Sequence, residues 1–140
     1  MKIVLDTNVL IAAFYNPPHR PCFSRDVFDY VVEKDWAYLS PYILSEFRVK
    51  CLKKLDWAPD RVQTMEDLIK RKAHVEDVHP ARWLRKRPIR LRDEKDRPIL
   101  DFALAINANL ILTWDKDLLI LKKAASTKII TPREFWDLLR

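Results

Sequence analysis

Two short apolar runs, separated by roughly a hundred residues, each lead into an aspartate. The first run, 2–5, is followed by Asp6, and the second, 110–113, is followed by Trp114 and Asp115. In an open α/β sheet, the residues just past the carboxyl ends of parallel strands line the crevice where ligands bind. We therefore expect these two aspartates to converge on one site, where their charges favour a hard cation.

Helical segments alternate with apolar runs along the sequence, which predicts a mainly parallel sheet with helices on both faces. The predicted strands are 2–5, 37–40, 74–78, 110–113 and 128–130. The predicted helices are 9–15, 21–34, one opened by Pro41, 59–72, a buried one from Asp96 near its N-cap to Asn109 near its end, 117–121, and one opened by Pro132. The 140 residues fit one domain, 1–140.

Glycine is absent from the sequence. Average usage near 7% would give roughly ten glycines in a chain of this length. Positions with a positive φ must therefore be occupied by Asn or Asp, or be avoided by the fold.

No apolar stretch reaches the roughly 18 residues that a membrane span needs, because Asp101, Asn107 and Asn109 interrupt the longest candidate. Asp6 and Asn8 break the apolar region near the amino terminus, which argues against a signal peptide. These observations predict a cytoplasmic protein without a membrane span.

Basic residues outnumber acidic ones, giving a net charge of +6 and a pI near 9.4, which favours a polyanionic partner. The segment 81–92 is half basic and includes Trp83, so it is a plausible phosphate track for RNA. The candidate RNA contacts in this segment are Arg82, Arg85, Lys86, Arg87, Arg90 and Arg92. A solvated loop or a docking surface for an acidic partner segment would have the same composition.

Four acidic residues occupy positions from which they could face one crevice. These are Asp6, Glu46 on the third helix, Asp96 at a helix start, and Asp115. Two carboxylates 4 Å apart repel by about 4 kcal/mol at an effective dielectric of 20, so four together need protons or cations. Oxygen ligands select Mg²⁺ or Mn²⁺ rather than zinc. The two cysteines form no CxxC and predict neither a disulfide nor a thiolate site.

Five segments carry a joint family signal: LDTNVL at 5–10, LSEF at 44–47, DEKDRPILDFALA at 93–105, LILTWDKDLL at 110–119 and IITPREF at 129–135. In this order and spacing they resemble the PIN domain family, specifically the VapC-like ribonuclease branch of toxins from toxin-antitoxin pairs. The resemblance implies a three-layer α/β/α fold with about five strands in the order 3-2-1-4-5. It also implies an RNA substrate, a cognate antitoxin and, as a further possibility, a homodimer.

The resemblance further implies a metal-dependent endoribonuclease that uses one or two Mg²⁺ or Mn²⁺ ions. By motif position, the catalytic acids and metal ligands are Asp6, Glu46, Asp96 and Asp115, with Asp117 as an additional metal ligand. The supporting polar residues are Thr7, Asn8 and Thr113. A divalent cation in such a site would activate a water to attack the phosphodiester phosphorus and would neutralise the developing charge.

Trp114 departs from the family pattern, which commonly has glycine at this position. We expect the indole to pack against the protein, and the alternative is stacking on an unpaired base. Three other functions remain open: a housekeeping RNA-processing nuclease, a catalytically inactive PIN-like module that binds RNA or a partner, and a phosphatase with Asp6 as nucleophile. The phosphatase is disfavoured because haloacid dehalogenase-type enzymes carry a second Asp where this chain has Asn8.

Overall fold

The computed structural model describes residues 1–17, 19–78, 91 and 93–140. In this part of the chain, six strands form one sheet in the order β3-β2-β1-β4-β6-β5. The strands are β1 (Ile3–Leu5), β2 (Ala37–Leu39), β3 (His74–Val75), β4 (Leu110–Leu112), β5 (Lys123–Ala124) and β6 (Thr127–Ile130). The predicted α/β fold with a mainly parallel sheet is confirmed.

The sheet differs from the prediction at one edge. The strand predicted at 128–130 is β6, and it pairs in parallel with β4 as expected. An additional short strand, β5, pairs antiparallel with β6 through Lys123 and Ala124. Two residues are too few to show a periodic pattern, so no local signal predicts this sixth strand.

The centre of the sheet is covered on both faces. Every residue of β1 and of β4 is buried, and successive side chains of a strand point to opposite faces. The register pairs Leu5 with Leu112, so the two central strands end at the same level. This level end places Asp6 beside Thr113, and the Asp6 amide donates to the Leu112 carbonyl at 3.0 Å.

The helices of the described residues follow the predicted order. They are α1 (Thr7–Tyr15), α2 (Phe23–Glu33), α3 (Pro41–Lys53), α4 (Pro59–Lys72), α5 (Arg97–Ala105), α6 (Lys116–Leu119) and α7 (Pro132–Leu138), with a 3-10 turn at Glu94–Asp96 before α5. None of these helices has the length and apolar character that a membrane crossing requires.

Helix α3 illustrates how the sequence orients a side chain toward the site. Pro41 opens the helix, and the Ser40 hydroxyl accepts a hydrogen bond from the Ile43 amide at 3.2 Å, which satisfies one of the free N–H groups. The apolar stripe that includes Phe47 is buried, and the Phe47 ring meets Phe14 edge to face at 6.3 Å. Glu46 lies beside this stripe and is therefore only partly covered.

The absence of glycine has a visible consequence for the backbone. Five described residues have a positive φ, and three of them are Asp35, Asp56 and Asn107, as predicted. The prediction is wrong for Lys122 (φ 61°) and Ala125 (φ 52°), which flank the short strand β5. A left-handed conformation disfavours residues with a Cβ by roughly 1–2 kcal/mol, so pairing of β5 with β6 must offset this conformational free energy.

Candidate functional site

A cavity of about 510 Å³ opens at the carboxyl ends of β1 and β4. Its walls bring five acidic residues together, which are Asp6, Glu46, Asp93, Asp96 and Asp115. Three lysines also line it, Lys50, Lys54 and Lys95. The structure therefore places all four acids of the predicted quartet around one space.

Asp6 is held in place by hydrogen bonds from three directions. Its Oδ1 accepts from the Thr7 amide at 2.7 Å, which makes Asp6 the N-cap of α1. Its Oδ2 accepts from the Thr113 hydroxyl at 2.7 Å and from Asn8 Nδ2 at 3.3 Å. The carboxylate is thus fixed between the ends of the two central strands, with only 2% of the residue exposed.

Burial raises the pKa of Asp6 from its ordinary value of 3.8 to about 6. The pKa of about 6 is a net result: the negative charges of Glu46 and Asp115 also raise the pKa, whereas the hydrogen bonds from Thr113 and Thr7 lower it. Removal from water is the largest cause, because it disfavours the charged form of a carboxylic acid. At neutral pH the Asp6 carboxylate is therefore ionised, although burial and the neighbouring negative charges disfavour its ionised form.

Asp96 is also buried, and its pKa is raised above the ordinary value of 3.8. Burial is the largest cause, followed by a hydrogen bond shared with the Asp115 carboxyl and by the charges of Asp115, Asp6 and Asp93. Asp96 is the N-cap residue of α5, but its side chain makes no capping hydrogen bond. A purely structural role as a helix cap, the ordinary explanation for Asp at such a position, therefore does not account for its orientation.

Two further aspartates lie next to Asp96. Carboxylate oxygens of Asp93, Asp96 and Asp117 all lie within 4.8 Å of one another. Asp93 caps the 3-10 turn by accepting from the Lys95 amide at 3.0 Å. The sequence-based prediction missed Asp93, although its spacing of three residues before Asp96 is the signal that could have identified it, since it allows two side chains to meet across one turn.

Glu46 reaches the cavity from α3 and has two neighbours on the same helix. The Tyr42 hydroxyl donates to Glu46 Oε2 at 3.3 Å, and Lys50 Nζ lies 3.8 Å from Glu46 Oε1. Burial and the charge of Glu46 both raise the pKa of Tyr42, so the phenol stays protonated and available as a donor. The Glu46 side chain is therefore oriented by Tyr42, one helical turn before it, and by Lys50, one turn after it.

The polar residues predicted to support the acids form a connected network. Asn8 donates to Thr113 Oγ1 at 3.3 Å as well as to Asp6, and its Oδ1 accepts from the Trp114 amide at 3.1 Å. Thr113 Oγ1 in turn accepts from the Asp115 amide at 2.9 Å. Thr7 contributes its amide to Asp6, while its own buried hydroxyl has no hydrogen-bond partner among the described residues.

Trp114 turns its indole toward α2. The indole Nε1 donates to the buried Ser24 hydroxyl at 2.8 Å, and 38% of the residue remains exposed. This contact is the packing interaction that we expected for a tryptophan in this position. The segment 81–92, with the predicted RNA contacts Arg82 to Arg92, lies outside the described residues except for Leu91.

The chain is thus an α/β protein with a mainly parallel sheet and an acidic cavity at the carboxyl ends of β1 and β4. The PIN domain family matches residues 2–117, and the chain belongs to this family. The predicted family resemblance is thereby confirmed. The chain is also 31% identical to the uncharacterised protein MJ1680 of Methanocaldococcus jannaschii, over 96% of this chain and 89% of that protein.

Two solved structures are similar in fold. One is VapBC2 from Rickettsia felis, bound to a DNA fragment from its promoter, with a TM-score of 0.63 and 15% identity over 92% of this chain and 97% of that chain. The other is VapC20 from Mycobacterium tuberculosis, a toxin that cleaves the sarcin-ricin loop, with a TM-score of 0.57 and 14% identity over 91% of this chain and 99% of that chain. At these identities the likeness concerns the fold.

Proposed function

We propose that this protein is a metal-dependent endoribonuclease that hydrolyses RNA phosphodiester bonds. The observation that carries the proposal is the convergence of Asp6, Glu46, Asp96 and Asp115 on one cavity in a PIN domain. Among the alternatives, a catalytically inactive binding module would be indicated by the loss of an acid, and all four acids line the cavity.

The residues of the cavity fit a divalent cation such as Mg²⁺ or Mn²⁺. All acidic donors are oxygens, which these hard cations prefer. Oδ2 of Asp96 is buried without a hydrogen-bond partner among the described residues, so one acid oxygen is unused by the protein itself. Asp6, Glu46, Asp96 and Asp115 would hold one or two such ions. Asp93 and Asp117, whose carboxylate oxygens lie within 4.8 Å of an Asp96 oxygen, would contribute beside Asp96.

The chain's own residues would orient the reactive acids. Thr113 and Asn8 fix the Asp6 carboxylate, and Tyr42 fixes that of Glu46. When bound, one or two divalent cations would supply an activated water and charge neutralisation at the scissile phosphate. Because these hydrogen bonds fix the acids in place, little reorganisation would be needed during the reaction.

The finer role that we propose is that of a toxin restrained by a cognate antitoxin, acting in the cytoplasm as a single domain over 1–140. The similar folds of VapBC2 and VapC20 support this role. A homodimer and RNA contacts through Arg82, Arg85, Lys86, Arg87, Arg90 and Arg92 belong to the same proposal. A housekeeping nuclease would use the same acids, and growth arrest on expression, relieved by a co-expressed partner, would separate the two roles.

The nuclease is tested by cleavage of a panel of single-stranded and structured RNAs with Mg²⁺, Mn²⁺ or EDTA. We expect metal-dependent cleavage by the wild type and none by Asp6→Asn or Asp96→Asn. The matched control is Asp101→Asn, because Asp101 is also buried and lies on α5 but does not line the cavity. Cleavage that persists in both site variants, or no cleavage by folded wild type, would contradict the proposal.

A further inference from the structure

We propose that Lys50 and Lys54 of α3 bind backbone phosphates of the RNA strand next to the phosphate that is cleaved. The inference rests on the proposed nuclease function and deepens it, because it assigns one wall of the cavity as the path of the substrate. It concerns residues other than those of the basic segment 81–92.

The first observation is a row of charged side chains along α3. Glu46, Lys50 and Lys54 follow one another at intervals of four residues, and all three line the cavity. Residues four apart lie on the same side of a helix, and Lys54 retains helical dihedral angles at the C-cap. At 1.5 Å per residue, the row extends about 12 Å from the acid to the second lysine.

The second observation is that the ammonium groups of this row are little used by the protein. Lys50 makes one long contact, 3.8 Å from Glu46, and Lys54 makes no ion pair or hydrogen bond through its side chain with any described residue. Arg48, which does not line the cavity, is instead bound to Glu66 at 2.9 Å and to Gln63 at 3.0 Å. The cations on the cavity side thus keep their binding capacity for a ligand.

The third step is electrostatic. A phosphodiester chain that enters this cavity approaches several carboxylates, and their charges repel it. Cations beside the acids offset that repulsion, and lysine suits this task because its flexible stem carries a point charge to successive phosphates. Since the cleaved phosphate must lie at the acids, the adjoining phosphates of the same strand pass along an adjacent wall. The α3 row supplies positive charge along such a wall.

Binding of a labelled single-stranded RNA to cleavage-deficient Asp6→Asn protein, measured over a range of salt concentrations with constant Mg²⁺, tests this inference. We expect Lys50→Gln and Lys54→Gln each to lower the salt slope by about 0.7, which is about a fivefold loss of affinity near 0.1 M salt. The matched control is Lys53→Gln, which removes the same charge from the same helix but at a residue that does not line the cavity. Its slope should stay at that of the parent.

Equal effects of Lys53→Gln and Lys54→Gln would overturn the inference, because they would show a net-charge effect rather than a contact in the cavity. An unchanged slope in Lys50→Gln and Lys54→Gln would also overturn it. A labelled poly-glutamate peptide serves as a second probe. Loss of peptide binding in these variants with unchanged RNA binding would assign the row to an acidic protein segment and would refute the RNA contact.

Parallel cleavage assays without the Asp6 substitution separate this inference from the proposed function. If wild type cleaves RNA and the two lysine variants match Lys53→Gln in KM and in salt slope, the lysine contacts are refuted while the nuclease stands. If the wild type does not cleave RNA but both lysine substitutions lower the salt slope of RNA binding, the RNA contacts along α3 are supported and the proposed nuclease activity is refuted. With both proposals correct, both lysine variants raise KM for RNA relative to Lys53→Gln.

Discussion

Replacing Asp6 with asparagine should change how the stability of the metal-free protein depends on pH. The pKa of Asp6 is about 6 in the folded state, against an ordinary value of 3.8. Between these values the folded state binds more protons than the unfolded state, so stability falls as pH rises. At 1.36 kcal/mol per pH unit, the ionised Asp6 destabilises the fold by about 3 kcal/mol above pH 6. The asparagine side chain cannot ionise, so the substitution removes this loss.

The assay is urea unfolding in EDTA at pH values from about 4 to 7.5, with wild type and Asp6→Asn compared at each pH. The substitution also alters the hydrogen bonds to Thr7, Thr113 and Asn8, at about 1 kcal/mol each. The free-energy cost of these altered hydrogen bonds is nearly constant with pH. The test is therefore how the difference in the free energy of unfolding between the two proteins changes with pH. We expect the difference to move in favour of the Asp6→Asn variant by roughly 2 kcal/mol from pH 4 to pH 7.

Parallel stability profiles for the two proteins would refute this reasoning, because they would mean that Asp6 has the same pKa in the folded and unfolded states. Asp101→Asn is the control for the effect of Mg²⁺ on stability, because Asp101 is buried but does not line the cavity. Added Mg²⁺ should stabilise the wild type at neutral pH more than it stabilises Asp6→Asn, because a ligand stabilises only the state that binds it.

Three further predictions concern the scaffold. Phe47→Ala should lower the free energy of unfolding by about 3–5 kcal/mol in urea titrations, since the ring is fully buried; a loss under about 1 kcal/mol would contradict its place in the core. Ala125→Gly should raise the melting temperature by relieving the positive φ, with a gain up to about 1 kcal/mol; an unchanged or lower melting temperature would contradict the backbone conformation. Ser24→Ala should cost about 1 kcal/mol through the lost hydrogen bond from Trp114 and should leave RNA cleavage unchanged; altered RNA affinity would favour base stacking by the indole.

The position of the acids could be predicted from sequence because it depends on simple rules. Asp6 and Asp115 each follow a short apolar run, and level strand ends in a parallel sheet bring such residues to one edge. Glu46 required the family pattern, because a partly exposed glutamate on a helix has no local signal of its own. Asp93 was missed because a loop aspartate beside a helix start is ordinarily a cap, although its spacing of three residues before Asp96 allows the two side chains to meet.

The edge of the sheet was less predictable, for a different physical reason. Strands β1 and β4 are buried on both faces, so their sequences are continuously apolar. Strand β5 has one exposed residue, Lys123, and one buried residue, Ala124, and it exists only through its pairing with β6. The positive φ of Ala125 follows from that pairing, which is why composition alone led us to expect only Asn or Asp there.

The acids of the cavity differ in how the fold stabilises their charge, and this difference bears on which of them depends most on a cation. Asp6 and Asp115 both accept backbone hydrogen bonds as N-caps, of α1 and α6, and a helix N-terminus favours a negative charge. Asp96 is also buried but receives no capping hydrogen bond, and its Oδ2 has no partner among the described residues. The protein thus compensates Asp6 and Asp115 in part through its own backbone. The charge of Asp96 lacks that compensation, so its ionised form has the most to gain from a ligand that brings positive charge.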